Sequence, residues 1–286
     1  MNRNFKPIFN ENGGIVNTEE LKKNMIQRLT EKGFKSDLTN PKTIQDKLNW
    51  LSIYDVNSIK TLCADKLKIR EYCKSKLGKD ICVPLIATYE KTKDIDWKSL
   101  PDSFVIKCNH GSGMNVIVKN KNSIDKNSCI QKLDKWLNTD FSMVNNYELQ
   151  YFNIPRRIVV EKLLADEKQT NSLVDYKFWC FNGEPKMYTL NTGHGHGDIM
   201  YFTMEDEPLN FYNVAWNGNI KKPSHFKDMV EYTKKLCSDF KFVRVDFYEV
   251  NGIVYLGELT FTPGANIFKY KKPGSDLLVG NMLKIK

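Results

Sequence analysis

The sequence predicts an α+β fold, and three observations carry that expectation. Helical patterning with identifiable caps dominates the first eighty residues. Two long apolar runs turn on Asn-Gly pairs, Lys177 to Leu190 about Asn182-Gly183 and Phe242 to Phe261 about Asn251-Gly252. The remaining elements mix strands and helices with antiparallel hairpins.

Residues 17–30 read as a helix, with Asn17 or Thr18 as cap and Glu19-Glu20 in the first turn. Residues 43–50 form a second short helix. Asp65 is placed to cap a third, Lys66 to Leu77, which Gly78 stops. Ile81 to Thr88 reads as a strand, and Pro84 puts it near an edge or bulge. Residues 103–108 are a strand entering a glycine loop, and Asn115 to Val118 are its return. Residues 123–137 are amphipathic helix. Arg157 to Leu164 is a buried strand, and Asn191 to Gly197 is a glycine-rich loop. Residues 224–239 form a helix feeding the last hairpin.

The composition bounds the class of function. A chain of 286 residues, 41% hydrophobic and 27% charged, is long enough for a large core and two or three subdomains. No segment holds the roughly 18 apolar residues that span a bilayer. Met1 to Lys6 lacks the apolar core of a signal peptide. Seven cysteines without a CxxC pair read as reduced thiols, so the expected compartment is cytoplasmic. Four histidines and scattered cysteines give no zinc spacing. The net charge of +9 is spread along the chain without a like-charge block, so no specific nucleic acid is expected. An anionic small substrate, an anionic polymer or a loose association with a membrane face suits that charge.

The last hairpin has two unlike faces at period two. Val243, Val245, Phe247, Ile253, Tyr255, Leu259 and Phe261 form the apolar face. Arg244, Asp246, Glu258 and Thr260 form the other. A cation and two carboxylates on one strand face suit a magnesium–polyphosphate site, or a salt-bridged solvent face. Parity adds a condition. A two-residue Asn251-Gly252 turn sends Asp246 and Glu258 to opposite faces unless a bulge intervenes. A three-residue loop, Val250 to Gly252 with Gly252 in the left-handed region, restores the shared face. That register, the one expected here, sets Arg244 opposite Glu258 with Asp246 diagonal to it.

Other segments carry chemistry less sharply. Phe104 to Met114 is a strand, a lysine and a small-residue loop, either an ordinary hairpin turn or a phosphate cradle. It lacks the Gly-Lys-Ser/Thr of a Walker loop. Lys107, in mid-strand, must reach a rim or an anion. Glu161 ends the apolar run Ile158 to Val160 and is either lysine-paired or an acceptor for a ligand N–H. Lys177, after Asp175, is a strand-edge lysine or an anion contact.

Their order is more specific than any one of them. It runs Asp65-Lys66, then Lys107-Cys-Asn-His110-Gly-Ser-Gly113, then Glu161-Lys-Leu-Leu164. Asp175-Tyr-Lys177, Arg244-x-Asp246 and Glu258-Leu-Thr260-Phe-Thr-Pro263-Gly264 follow. In this the chain resembles the ATP-grasp superfamily over about residues 60–270, and within it the teichuronopeptide-biosynthesis-like (TupA-like) branch. The resemblance implies two α/β subdomains with antiparallel sheets gripping nucleotide: 1–75 a helical segment, 76–164 a lid subdomain, and 165–286 a C-terminal subdomain. The loop around 164–172 is the hinge candidate.

The resemblance also implies roles. Lys66 and Lys107 would contact the α- and β-phosphates, under a lid of Gly111, Ser112 and Gly113. Glu161 would accept from the adenine amino group, with the backbone of Lys162 to Leu164 on the ring edge. Asp166 or Glu167 would hold the ribose. Lys177 and Arg244 would meet the γ-phosphate and the developing acyl phosphate. Asp246, Glu258 and Thr260 would hold Mg²⁺, with Thr260 standing where most ATP-grasp enzymes have Asn. The implied activity is an ATP-dependent carboxylate–amine ligase in cell-surface polysaccharide synthesis, joining an amino acid to a uronic acid. A glycan precursor would be the acceptor. The rival readings are a small-molecule kinase, a glycosyltransferase and a basic polyanion-binding module. His110, His194 and His196 are read as idle loop histidines ahead of general bases.

Overall fold

The computed structural model describes residues 5–11, 13–165, 173–191, 199–211 and 222–286. Four helices come first: α1 (Thr18–Glu31), α2 (Ile44–Tyr54), α3 (Ser58–Ala64) and α4 (Ile69–Leu77). Thr43 and Asp46 close a reciprocal capping box on α2, and the Asn57 side chain accepts the Lys60 N–H to start α3. The helix expected from Lys66 begins instead at Ile69. Asp65 ends α3, and its carboxylate accepts the Leu67 N–H at 2.8 Å, so residues 65–68 are a turn between two helices. Gly78 ends α4 in the left-handed conformation, as its sequence position suggests.

Strands β1 (Leu85–Tyr89), β2 (Phe104–Cys108) and β3 (Asn115–Val118) precede α5 (Lys126–Leu137), and β4 (Ile158–Lys162) follows it. These strands make an antiparallel sheet in the order β1-β4-β2-β3, with β1 at the edge where Pro84 leads into it. Phe104, Ile106, Val118, Ile158, Val160 and Leu133 pack between this sheet and α5. Their burial contributes about 1.5–3 kcal/mol per large side chain.

Next come β5 (Asp175–Phe181), β6 (Glu184–Asn191), β7 (Ile199–Thr203), β8 (Pro208–Leu209), α6 (Phe226–Cys237), β9 (Phe242–Val250), β10 (Ile253–Thr260) and α7 (Ser275–Met282). The six strands form a second antiparallel sheet, ordered β10-β9-β5-β6-β7-β8. Both faces of β5 are covered, which explains its continuous apolar run. Phe178 and Cys180 face α6 and α4, with Val243, Val245 and Phe247. Trp179 and Phe181 face α2 and α7. That second face is apolar at one end only, and the charged residues occupy the other.

The last hairpin departs from the expected loop. Ile253 pairs with Val250, so the loop is the two-residue Asn251-Gly252, with φ of 51° and 76°. This is the type I′ turn that Asn-Gly favours. Parity is restored within the strand, where the pairing slips between Leu256 and Glu258. Gly257 is the extra residue of a bulge, and Asp246 lies directly opposite Glu258, with Arg244 opposite Thr260. The slip also corrects the apolar face. Val254 and Leu256 join Leu259 on the core side, whereas Ile253 is 54% exposed.

Candidate active site

Asp246 is the centre of the charged face. It is only 2% exposed. Arg244 clasps it bidentately, with Nε 2.7 Å from Oδ1 and Nη2 2.6 Å from Oδ2. From β5, Lys177 Nζ lies 2.9 Å from Oδ2 and 3.4 Å from Asp175. Burial pushes the Asp246 carboxyl upward, but the Arg244 and Lys177 charges hold it below the ordinary range. Lys177 is raised for the matching reason: burial opposes its charge, and Asp246 outweighs burial.

The second carboxylate is more open. Arg244 Nη2 donates to Glu258 Oε1 and to Thr260 Oγ1, each at 3.2 Å, and the Thr260 hydroxyl donates to Glu258 at 2.7 Å. The Glu258 side chain is 38% exposed, against 3% for Asp246. Among Asp175, Lys177, Arg244, Asp246 and Glu258 the carboxylates outnumber the cations by one. An all-oxygen donor set with surplus negative charge fits a hard cation such as Mg²⁺. Arg244 also lies 5.9 Å from the Trp179 ring, where the polar end of the sheet face meets its apolar end.

A second cluster sits on the four-stranded sheet. Lys107 of β2 pairs with Glu161 of β4 at 2.5 Å, and Arg70 of α4 approaches the other Glu161 oxygen at 3.8 Å. The Lys162 N–H donates to the Pro84 carbonyl at 2.9 Å. Lys66 stands between the clusters. Its ammonium donates to the Gly111 carbonyl. Burial pushes it below the usual lysine range, countered by Glu258, Glu161 and Asp65 and reinforced by Lys107. Carboxylates of both sheets, Glu161 of β4 and Glu258 of β10, favour the charged form of this one lysine.

The loop after β2 is built on close packing. A Cβ at Gly111 would stand 2.7 Å from the Phe141 ring, so only glycine fits there. Ser112 and Gly113 are exposed at the tip, and Gly113 has φ of 71°. The structure therefore brings together Lys66, Lys107, Gly111, Glu161, Lys177, Arg244, Asp246, Glu258 and Thr260 on two neighbouring walls. Asp166, Glu167, His194 and His196 lie outside the described residues. His110 is 2% exposed, with Nε2 3.1 Å from the Trp136 carbonyl, and burial lowers its pKa. It packs beneath the loop against α5.

Several supporting residues carry no signal in the sequence. Asn109, fully buried, donates to Asp65 at 2.8 Å and to the Pro155 carbonyl at 3.0 Å, and accepts the Arg157 N–H at 2.8 Å. Its own carbonyl accepts the Lys66 N–H, which fixes that lysine to the sheet. Beyond β10, the Thr262 hydroxyl donates to Glu148 and accepts from Gln150, both at 2.7 Å. Burial pushes the Glu148 carboxyl up, against hydrogen bonds from Asn145 and Thr262.

The TupA-like ATPgrasp family matches residues 46–284. No curated protein matches the chain. Among solved structures, the chain is similar to D-alanine–D-alanine ligase from Bacillus anthracis complexed with ATP, at 17% identity and TM-score 0.41, covering 70% of this chain and 54% of that one. It is similar to L-amino acid ligase from Bacillus licheniformis at 12% identity and TM-score 0.46, covering 87% and 56%. It is also similar to phosphoribosylamine–glycine ligase from Thermotoga maritima at 13% identity and TM-score 0.42, covering 72% and 49%. The chain thus spans about half the length of these proteins. With most of its length matched by one family, the chain belongs to the TupA-like ATP-grasp proteins.

Proposed function

We propose that this chain is an ATP- and Mg²⁺-dependent ligase that joins an amine to a carboxylate through an acyl phosphate. The observation that carries the proposal is the pairing of Asp246 with Glu258 across β9 and β10, with Arg244 and Lys177 bound to them. Nucleotide would lie between the two sheets, its adenine at Glu161 and Lys162 to Leu164. Its phosphates would lie at Lys66, Lys107 and the loop Gly111 to Gly113. The four-stranded sheet would act as the lid of the 76–164 subdomain over the 165–286 subdomain.

Asp246, Glu258 and Thr260 would hold magnesium, which when bound neutralises charge on the polyphosphate. Lys177 and Arg244 would exchange their carboxylate partners for phosphoryl oxygens. A substrate carboxylate oxygen attacks the γ-phosphorus and ADP leaves. The amine then attacks the acyl carbon, phosphate leaves with the C–O electron pair, and the amine gives up a proton to solvent. The protein positions the reactants and stabilises the charge that develops. The family branch supports a role in cell-surface polysaccharide synthesis, with a uronic acid as carboxylate and an amino acid as amine. Free thiols at all seven cysteines support a cytoplasmic site of action.

The test is product analysis with MgATP and a panel of uronic acids and amino acids. ADP, phosphate and an amide support the ligase. ADP with a stable phosphorylated acceptor makes the protein a kinase, and absence of turnover with the whole panel counts against both.

A further inference from the structure

The cysteines are scattered in the sequence, and none belongs to the candidate active site, yet the fold brings two of them together beside a carboxylate. Cys73 is fully buried on α4. The left-handed Gly78 reverses the chain after that helix, and Asp80 and Cys82 return alongside it. The two sulfurs and an Asp80 carboxylate oxygen all lie within 4.8 Å of one another.

The return segment is held from several directions. Asp80 Oδ1 accepts the Cys82 N–H at 2.9 Å, and Oδ2 pairs with Arg70 Nη1 at 3.0 Å. Cys82 bridges Leu256 of β10, whose N–H donates to the Ile81 carbonyl at 2.8 Å. The Lys79 carbonyl oxygen lies 3.6 Å from Cys73 Sγ. A sulfur at about 2.3 Å and an oxygen at about 2.1 Å from one ion stand about 3.6 Å apart at the tetrahedral angle. The sulfurs need an approach to about 3.8 Å, a shift of about 1 Å at most from the observed limit.

Two thiols and carbonyl-type oxygens select a borderline-soft cation, whereas magnesium prefers an all-oxygen shell. Cys73 is buried on the inner side, and Asp80 is the exposed member of the three. We propose that Cys73, Asp80 and Cys82 bind a thiophilic divalent cation of the zinc type, completed by the Lys79 carbonyl or water. Each thiol loses its proton to solvent as its bond to the metal forms. Two protons leave per ion, with no change of oxidation state. The ion competes with Arg70 for Asp80. This site shares no ligand with the magnesium set of Asp246, Glu258 and Thr260, so it stands whether or not the ligase reading does.

The experiment is anaerobic titration of the reduced full-length protein with Co²⁺, followed by Zn²⁺. The expected result is a near-ultraviolet thiolate-to-cobalt charge-transfer band that saturates at one ion per chain and is erased by Zn²⁺. A large excess of Mg²⁺ leaves it in place. Cys82→Ser, at a half-buried position, removes the band while circular dichroism stays at the wild-type signal. Absence of the band in wild type overturns the proposal without recourse to any variant. A band that survives Cys82→Ser in full also overturns it.

Discussion

Replacing Gly257 by alanine perturbs the candidate active site without touching any of its charged groups. A Cβ at this position would stand 2.8 Å from the Tyr248 ring and 3.3 Å from the Asp246 carbonyl oxygen. Favourable carbon–carbon contact begins at about 3.5 Å, so the ring must give by about 0.7 Å and the backbone by a few tenths. Overpacking of this kind costs about 1–3 kcal/mol. The chain can relieve it by moving Tyr248, or by expelling the bulge. Expulsion slips β10 by one residue and sends Glu258 to the face opposite Asp246. Displacing a group that orients a metal ligand lowers activity about 10- to 100-fold. Thermal unfolding and ATP turnover measured on one preparation separate the terms. The expected result is a modest stability loss with a disproportionate loss of turnover. Wild-type turnover at wild-type stability would refute both the bulge geometry and the role given to Glu258.

Three further outcomes are expected. Asp246→Asn leaves Arg244 and Lys177, 14% and 18% exposed, short of a partner and costs about 3–5 kcal/mol at neutral pH. Because Asp246 titrates below its ordinary 3.8, the unfolded chain binds more protons between those values. The Asp246 contribution is complete above 3.8 and is lost as pH falls through the folded value. The stability gap between wild type and Asp246→Asn, read by denaturant midpoints across pH, therefore stays constant above about pH 5 and narrows below 3.8. Thr262→Val strips the buried Glu148 and Gln150 of a hydrogen-bond partner and lowers stability by about 1–3 kcal/mol in urea unfolding. Lys107→Met breaks the Glu161 pair and should raise the Kd for MgATP in calorimetry, with circular dichroism unchanged.

Much of the hairpin was legible because β-strands have a rigid period. Asp246 and Glu258 demanded either an odd loop or a bulge, and the structure uses the bulge. Asn251-Gly252 kept its preferred two-residue turn, while Gly257 supplied the slip. The local signal there was weak, since a glycine in a strand also marks plain close approach. Helix α3 leaves little trace in the sequence, because seven residues give too few turns to show a period and its end lies against the cap-like Asp65 turn. Asn109, Glu148, Gln150 and Thr262 were invisible for another reason. They act through contacts 44 to 114 residues apart in the chain, made by segments without periodicity. Lys66 and Lys107 were readable as odd lysines in their settings, but their link through Gly111 and Glu161 needed coordinates.

The face shared by Asp246 and Glu258 is the proposed seat of ATP-dependent chemistry. Steady-state ADP release by Glu258→Gln, against wild type in the presence of Mg²⁺ and an accepted carboxylate, tests it most directly. Glutamine keeps the size and the hydrogen bond from Thr260 but removes the charge from a half-exposed ligand position. The expected result is a fall of at least about 100-fold in turnover, with thermal stability close to wild type. Turnover equal to wild type in a folded Glu258→Gln protein would contradict it and leave the hairpin a salt-bridged structural element.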